Sequence, residues 1–87
     1  MNYQILETIK QAARAKRVLR IIYIEKDGTS EGWRYVEPYS FSKDEREQGF
    51  FAWDILKGGI RRFSLERITQ VEMTEQNYTP RYPVEFF

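Results

Sequence analysis

The side chains whose types and spacing suggest chemistry are four arginines and the aromatic rings near them. Arg34, Arg61, Arg62 and Arg67 fall in or beside stretches that read as strands. An unpaired guanidinium buried there would be costly, so some of the four should face solvent or an anion. Arginine meets phosphate through two parallel N–H donors. Tyr23, Trp33, Tyr35, Tyr39 and Trp53 could stack bases beside those charges, a combination that single-strand binders with small barrels use, at roughly 1–3 kcal/mol per stacked base. The plainer alternative puts Trp33 and Trp53 in the core and pairs Arg67 with Glu66, Glu37 or backbone carbonyls. Arg34 and Arg61 have the better case for a ligand.

Catalysis lacks its parts. The chain has no His and no Cys, which removes the usual general base, thiolate chemistry, disulfides and the commonest zinc ligands. Glu37 and Asp54 stand as isolated carboxylates, and Gly58-Gly59 reads as a turn, not a phosphate loop. A two-carboxylate hydrolase would need a spatial pairing that a sequence does not display. The expectation is a non-enzymatic protein with no cofactor and no metal.

Fourteen basic against thirteen acidic residues leave a net charge of +1, so any positive field must be local. Lys10, Arg14, Lys16, Arg17 and Arg20 face only Glu7 within residues 1–24. No basic leader precedes an apolar run, and Ile21–Ile24 is far shorter than the ~20 residues needed to span a bilayer. A cytoplasmic protein without membrane contact is expected. Eighty-seven residues suit one domain, which buries only about 60–65% of its unfolded surface. Six Phe, six Tyr and two Trp must therefore supply much of the core.

The elements that would position the arginines follow from periodicity. Ile5, Ile9, Ala12 and Ala13 recur at helical spacing, so about residues 3 to 16 read as an amphipathic helix that Asn2 could cap. Its basic face reads as solvated surface, with nucleic-acid contact as the alternative. Val18 to Lys26 suits a central strand, Asp27-Gly28 a tight type I′ hairpin, and Glu31 to Glu37 the returning strand, ended by Pro38. On that strand Trp33 and Tyr35 share one face, and Arg34 and Val36 the other. Residues 39 to 48, with the run Lys43-Asp44-Glu45-Arg46-Glu47, read as an exposed loop. Phe50 to Leu56 and Ile60 to Ser64 form a hairpin through Lys57-Gly58-Gly59. Ser64 could cap a tight corner before the last strand, Ile68 to Thr74. Corners of this kind bend a short sheet into a small barrel.

The stretch Arg61-x-Phe63-x-Leu65-x-Arg67-Ile68 resembles the most recognisable segment of the WYL domain family. Val18-Leu19-Arg20-Ile21-Ile22-Tyr23, Lys26-Asp27-Gly28 and Arg34-Tyr35-Val36-Glu37-Pro38-Tyr39 follow a basic helix in that family's order. The similarity covers roughly residues 5 to 75 and departs at the naming tripeptide, which falls on Gln48-Gly49-Phe50 or Gly49-Phe50-Phe51. It implies a small five-stranded SH3-like or Sm-like barrel after a helix. It also implies a ligand-sensing module of bacterial transcription regulation, whose arginines and tyrosines contact single-stranded nucleic acid or nucleotides. By motif position these are Arg34, Arg61 and Arg67, with Tyr23; adjacent Arg62 and Tyr39 complete the candidate site.

One domain is expected: helix 1–17, barrel 18–74 and an apolar tail 75–87. Tyr78, Pro80, Tyr82, Pro83, Val84, Phe86 and Phe87 are too apolar for a solvated end. The tail should cover an open sheet edge, in its own chain or on a second copy. As it stands the chain has no room for the winged-helix domain that usually precedes such a module. The expected partners are therefore a single-stranded nucleic acid or nucleotide, another copy, or a larger regulator protein.

Overall fold

The computed structural model describes residues 3–42 and 48–85. The suggested Asn2 cap, the charged run 43–47 and Phe86-Phe87 lie outside the described residues. Helix α1 (Tyr3–Ala15) buries Ile9, Ala12 and Ala13, with Ile5 packed beside them, as the 3.6-residue period requires. Lys16 ends it in the left-handed region, φ 55°, and its carbonyl accepts from Tyr78 N–H at 2.9 Å.

Among the described residues five strands follow: β1 (Arg17–Tyr23), β2 (Trp33–Phe41), β3 (Gly49–Asp54), β4 (Gly59–Ser64) and β5 (Ile68–Asn77), with a 3-10 turn at Leu65–Arg67 before the last. They form one antiparallel sheet in the order β4-β3-β2-β1-β5, not closed between β4 and β5. Those two edges are nevertheless joined by only three residues. A flat five-stranded sheet would hold its edge strands about 19 Å apart, whereas the chain from Ser64 to Ile68 reaches about 14 Å at most. The sheet must therefore coil around its contents. At the corner Ile24 N–H donates to Arg67 O (2.9 Å), Leu65 N–H to Gln48 O (2.8 Å), and Ser64 N–H to the Tyr23 hydroxyl (3.0 Å).

The concave face holds the main core: Leu19, Ile21, Tyr23, Val36, Phe50, Ala52, Phe63 and Ile68 under Ile9 and Ala12 of the helix. Phe50 and Phe63 are directly paired across β3 and β4, and Tyr23 meets Phe63 edge-on at 5.1 Å. The opposite face carries a second cluster of Val18, Tyr39 and Tyr78, with Trp53 and Val84 against it.

Four local expectations are corrected. The β1–β2 hairpin is not a two-residue turn: the strands are separated by residues 24–32, and among described non-glycine residues only Lys16 has positive φ. Asp27 instead accepts from Thr29 N–H (3.0 Å) and Oγ1 (2.7 Å), an Asx turn that competes with the type I′ geometry. Pro38 does not end β2. Pairing with β1 stops at Val36 while pairing with β3 continues to Phe41, so beyond Val36 that side of β2 is an edge, where a missing N–H is tolerated. Residues 39–41 are consequently strand, not loop. Ser64 makes no capping bond, and its buried hydroxyl has no partner among the described residues; the corner closes through backbone donors instead.

The free edge of β2 is where the C-terminal segment lies, on its own chain. Tyr78 is buried and its hydroxyl donates to Pro38 O at 2.6 Å. Glu85 N–H donates to Tyr39 O at 2.7 Å, making a parallel bridge to Ser40. The Tyr39 hydroxyl donates to Glu37 (3.0 Å) and accepts from Arg81 N–H (2.9 Å). Burial first, then the nearby Tyr39 and Glu37, raises the Tyr78 hydroxyl pKa, and burial raises that of Tyr39. A folded value raised above the unfolded one gives stability that is complete below about pH 10 and lost as pH rises beyond it. Urea midpoints measured against pH should therefore fall above about pH 10, and the fall should shrink in Tyr78→Phe. An identical fall in Tyr78→Phe would remove Tyr78 as its source.

Candidate functional site

The coiled sheet gathers four of the six expected residues at one end, around Glu25. Arg34 on β2, Arg61 on β4 and Arg67 in the 3-10 turn all reach this one residue from the β1–β2 loop. Arg34 Nη1 donates to the Glu25 carboxylate at 2.8 Å, and Arg61 Nη2 lies 2.7 Å from each of its oxygens. Arg67 Nη1 donates to the Glu25 carbonyl at 3.1 Å. The Glu25 backbone is held as well, its N–H bonded to Thr29 O (2.8 Å) and its carbonyl to Gly28 N–H (2.9 Å). Gly28 sits at φ 86°, which a side chain rarely adopts.

Arg34 is not turned to solvent. Its side chain is 4% exposed and its Nη2 donates to Asp54 at 2.8 Å, a carboxylate that is also 4% exposed. Asp54 in turn accepts from Lys57 N–H at 3.1 Å. Burial opposes the Asp54 charge, but the Arg34 hydrogen bond, the Lys57 amide and both positive charges outweigh it, leaving the carboxyl below its ordinary range. Glu25 is also lowered, first by the Arg61 hydrogen bond, against burial, then by Arg34.

Tyr23 forms part of the floor, with the Arg61 guanidinium 5.8 Å above its ring and 5.5 Å from the Phe63 ring. Its hydroxyl is engaged by Ser64 N–H. Beside this cluster opens a cleft of about 680 Å³ whose wall includes Lys26, Lys57, Arg61, Arg62 and Arg67 against Glu25, Asp27 and Glu31. Arg62 meets the cleft while its Nε donates to Ser42 Oγ at 3.0 Å. Tyr39 does not join this group: it lies in the second cluster, beneath the C-terminal segment. Trp33 and Trp53 are half-buried, each under a guanidinium, Arg20 at 4.2 Å and Arg81 at 4.4 Å. Among the described residues no group of three or more His, Cys, Asp or Glu is placed to hold a metal ion, and no helix is long and apolar enough to cross a membrane.

Glu25 is the residue that sequence reasoning missed. The Asp54 partnership had a signal: Arg34 shares its face with Val36, and Asp54 shares its face with Phe50 and Ala52. A charge on each of two apolar faces asks for a partner.

A model of the WYL domain matches residues 4–73. The chain belongs to the WYL domain family. This WYL domain is similar to proteasome accessory factor B/C (PafBC) of Arthrobacter aurescens, with 25% identity and a TM-score of 0.78, over 93% of this chain and 14% of that one. No curated protein matches the chain. Of the two stretches on which the naming tripeptide is expected to fall, Gly49, Phe50 and Phe51 lie in β3 and Gln48 just before it. Phe50 is fully buried there, and a Cβ on Gly49 would lie 2.6 Å from Phe63 O, so the backbones approach too closely for a side chain.

Proposed function

We propose that this WYL domain is a regulatory, ligand-sensing module that binds single-stranded nucleic acid or a nucleotide in the cleft bounded by Arg61, Arg62 and Arg67, with Tyr23 at its floor. One observation carries the reading: Arg34 and Arg61, from different strands, converge on one carboxylate, a geometry suited to an oxyanion, and Arg67 holds the backbone carbonyl of the same residue. Lys26 in the same wall adds charge that would track a phosphate backbone, whereas Lys57 is paired with Glu31 at 3.0 Å. Arg34 supports the site from behind. The coiling of the sheet supports reading it as an incompletely closed barrel of the SH3-like or Sm-like kind. A role in transcription regulation rests on the family and on the likeness to PafBC, of which this chain spans a small part.

Fluorescence anisotropy of labelled single-stranded and duplex oligonucleotides at ~50 and ~200 mM salt tests this. Saturable single-strand binding that weakens with salt is expected. Arg61→Ala should weaken it about 10- to 100-fold, the worth of one hydrogen bond to a charged group. Glu25 keeps Arg34 as a partner in that variant, so the fold should survive. Absence of binding at the lower salt would remove the nucleic-acid part of the reading.

A second reading, a protein-interaction module, is favoured by the tip of the β3–β4 hairpin. Leu56 there is 89% exposed, with Ile55, Ile60 and Tyr35 also exposed. Partners would be another copy or a larger regulator.

A further inference from the structure

Glu25 is an anion already seated where the proposed ligand's anion would go. Its carboxylate takes the inward donors of Arg34 and Arg61. Glu25 and Arg61 stand in the cleft wall, whereas Arg34 does not. From this cleft a ligand can therefore reach the Arg34 Nη1 donor only if the Glu25 side chain leaves it; Arg34 otherwise borders a separate cavity beside Trp33, Tyr35 and Asp54. The loop allows this, because the backbone of Glu25 is held by Thr29, Gly28 and Arg67 independently of its carboxylate. Rotation of the side chain breaks no strand pairing.

The exchange has a charge requirement. A phosphodiester carries one negative charge, the same as the carboxylate it would displace, and the carboxylate is tethered, so it does not lose translational freedom on re-entering. A phosphomonoester carries about −1.5 to −2 at pH 7 and three acceptor oxygens. It can bridge Arg34 and Arg61 together and still accept from Arg67 or Lys26 in the same wall. We infer that Glu25 is a resident competitor that makes the site select a terminal phosphomonoester, as on a phosphorylated strand end or a mononucleotide, over internal phosphodiesters. This rests on the oxyanion reading of the cleft and adds its specificity.

The test compares oligonucleotides of one sequence bearing a 5′-phosphate, a 3′-phosphate or neither. They are titrated into the wild-type protein and Glu25→Gln, with inorganic phosphate titrated separately into both. The wild type should bind one of the phosphorylated strands about tenfold or more tighter than the unphosphorylated one. Glu25→Gln keeps the shape and removes the charge, so it should tighten binding of the unphosphorylated strand and bring the ratio towards one. The wild-type ratio needs no variant, so a misfolded Glu25→Gln would not decide the matter. Equal wild-type affinity for all three strands would overturn the proposal while leaving single-strand binding intact. If no strand binds but inorganic phosphate does, and binds at least several-fold tighter to Glu25→Gln, the nucleic-acid reading falls and the role of Glu25 stands. If nothing binds either protein, both fall.

Discussion

Asp54→Ala should lower the unfolding free energy by about 3–5 kcal/mol, because it leaves the buried Arg34 guanidinium facing an empty site. A domain of this size loses roughly 4–8 °C in midpoint per kcal/mol, so the variant should melt tens of degrees lower or fail to fold. Three features make the site sensitive. Arg34 Nε is already buried without an acceptor among the described residues, the remaining partner Glu25 is shared with Arg61, and Lys57 N–H loses its acceptor as well. The informative comparison is the double variant Arg34→Met with Asp54→Leu. Replacing both members by apolar groups of similar size removes both desolvation penalties, so it should recover most of the loss. Urea midpoints for the three proteins decide this; a loss below about 1 kcal/mol for Asp54→Ala would mean that the pair is effectively hydrated and behaves as a surface bridge. The pH dependence has a definite sign. Both Asp54 and Glu25 have depressed folded pKa values, so their contribution is complete above the unfolded carboxylate range of about 4 and is lost as pH falls through the folded values. Asp54→Ala should therefore flatten the acid limb of the stability curve.

Removing residues 78–87 should cost about as much, on the order of 3–5 kcal/mol, the range for deleting a buried aromatic side chain. Tyr78 fills the second cluster against Tyr39, their rings 5.8 Å apart edge-on. Its loss uncovers Val18 and Trp53, and it frees the edge of β2 that Glu85 and the Tyr78 hydroxyl now occupy. Tyr78→Phe, which deletes only the bond to Pro38, should cost about 1 kcal/mol. A bare edge beside exposed rings is prone to pair with other chains. A sizing column should accordingly show the shortened protein associating more than the full chain. A full chain that runs as a dimer and becomes monomeric on truncation would instead place the segment on a second copy.

Much of this architecture is local and could be read from the chain. The helix follows from Ile5, Ile9, Ala12 and Ala13, and the β3–β4 turn from Lys57-Gly58-Gly59, where Gly58 takes φ 70°. The turn between Phe63 and Ile68 follows from the change of period there. Each depends on neighbours a few residues apart, so the sequence displays its own evidence. The family likeness rests on the same short stretches.

Other features depend on distance. Whether β2 could run through Pro38 was decided by where β1 stops, since proline is tolerated only where no partner strand needs its N–H. Tyr39 went beneath the C-terminal segment, not into the cleft, because the edge left open beyond Val36 drew that segment over it. The site was the least legible part. Glu25 sits in a loop although its sequence reads as the end of a strand running to Lys26, and Arg34, Arg61 and Arg67 belong to three different elements. They meet because Leu65–Arg67 is too short to span a flat sheet, which forces the sheet to coil and brings the end of β4 back to the end of β1. Residue types and periods thus determined by themselves that this is a helix followed by a short-stranded antiparallel sheet with arginines on its strands. Which acid each arginine meets was left to the tertiary structure, because Coulomb attraction and hydrogen bonding act through space and carry no trace in the spacing along the chain.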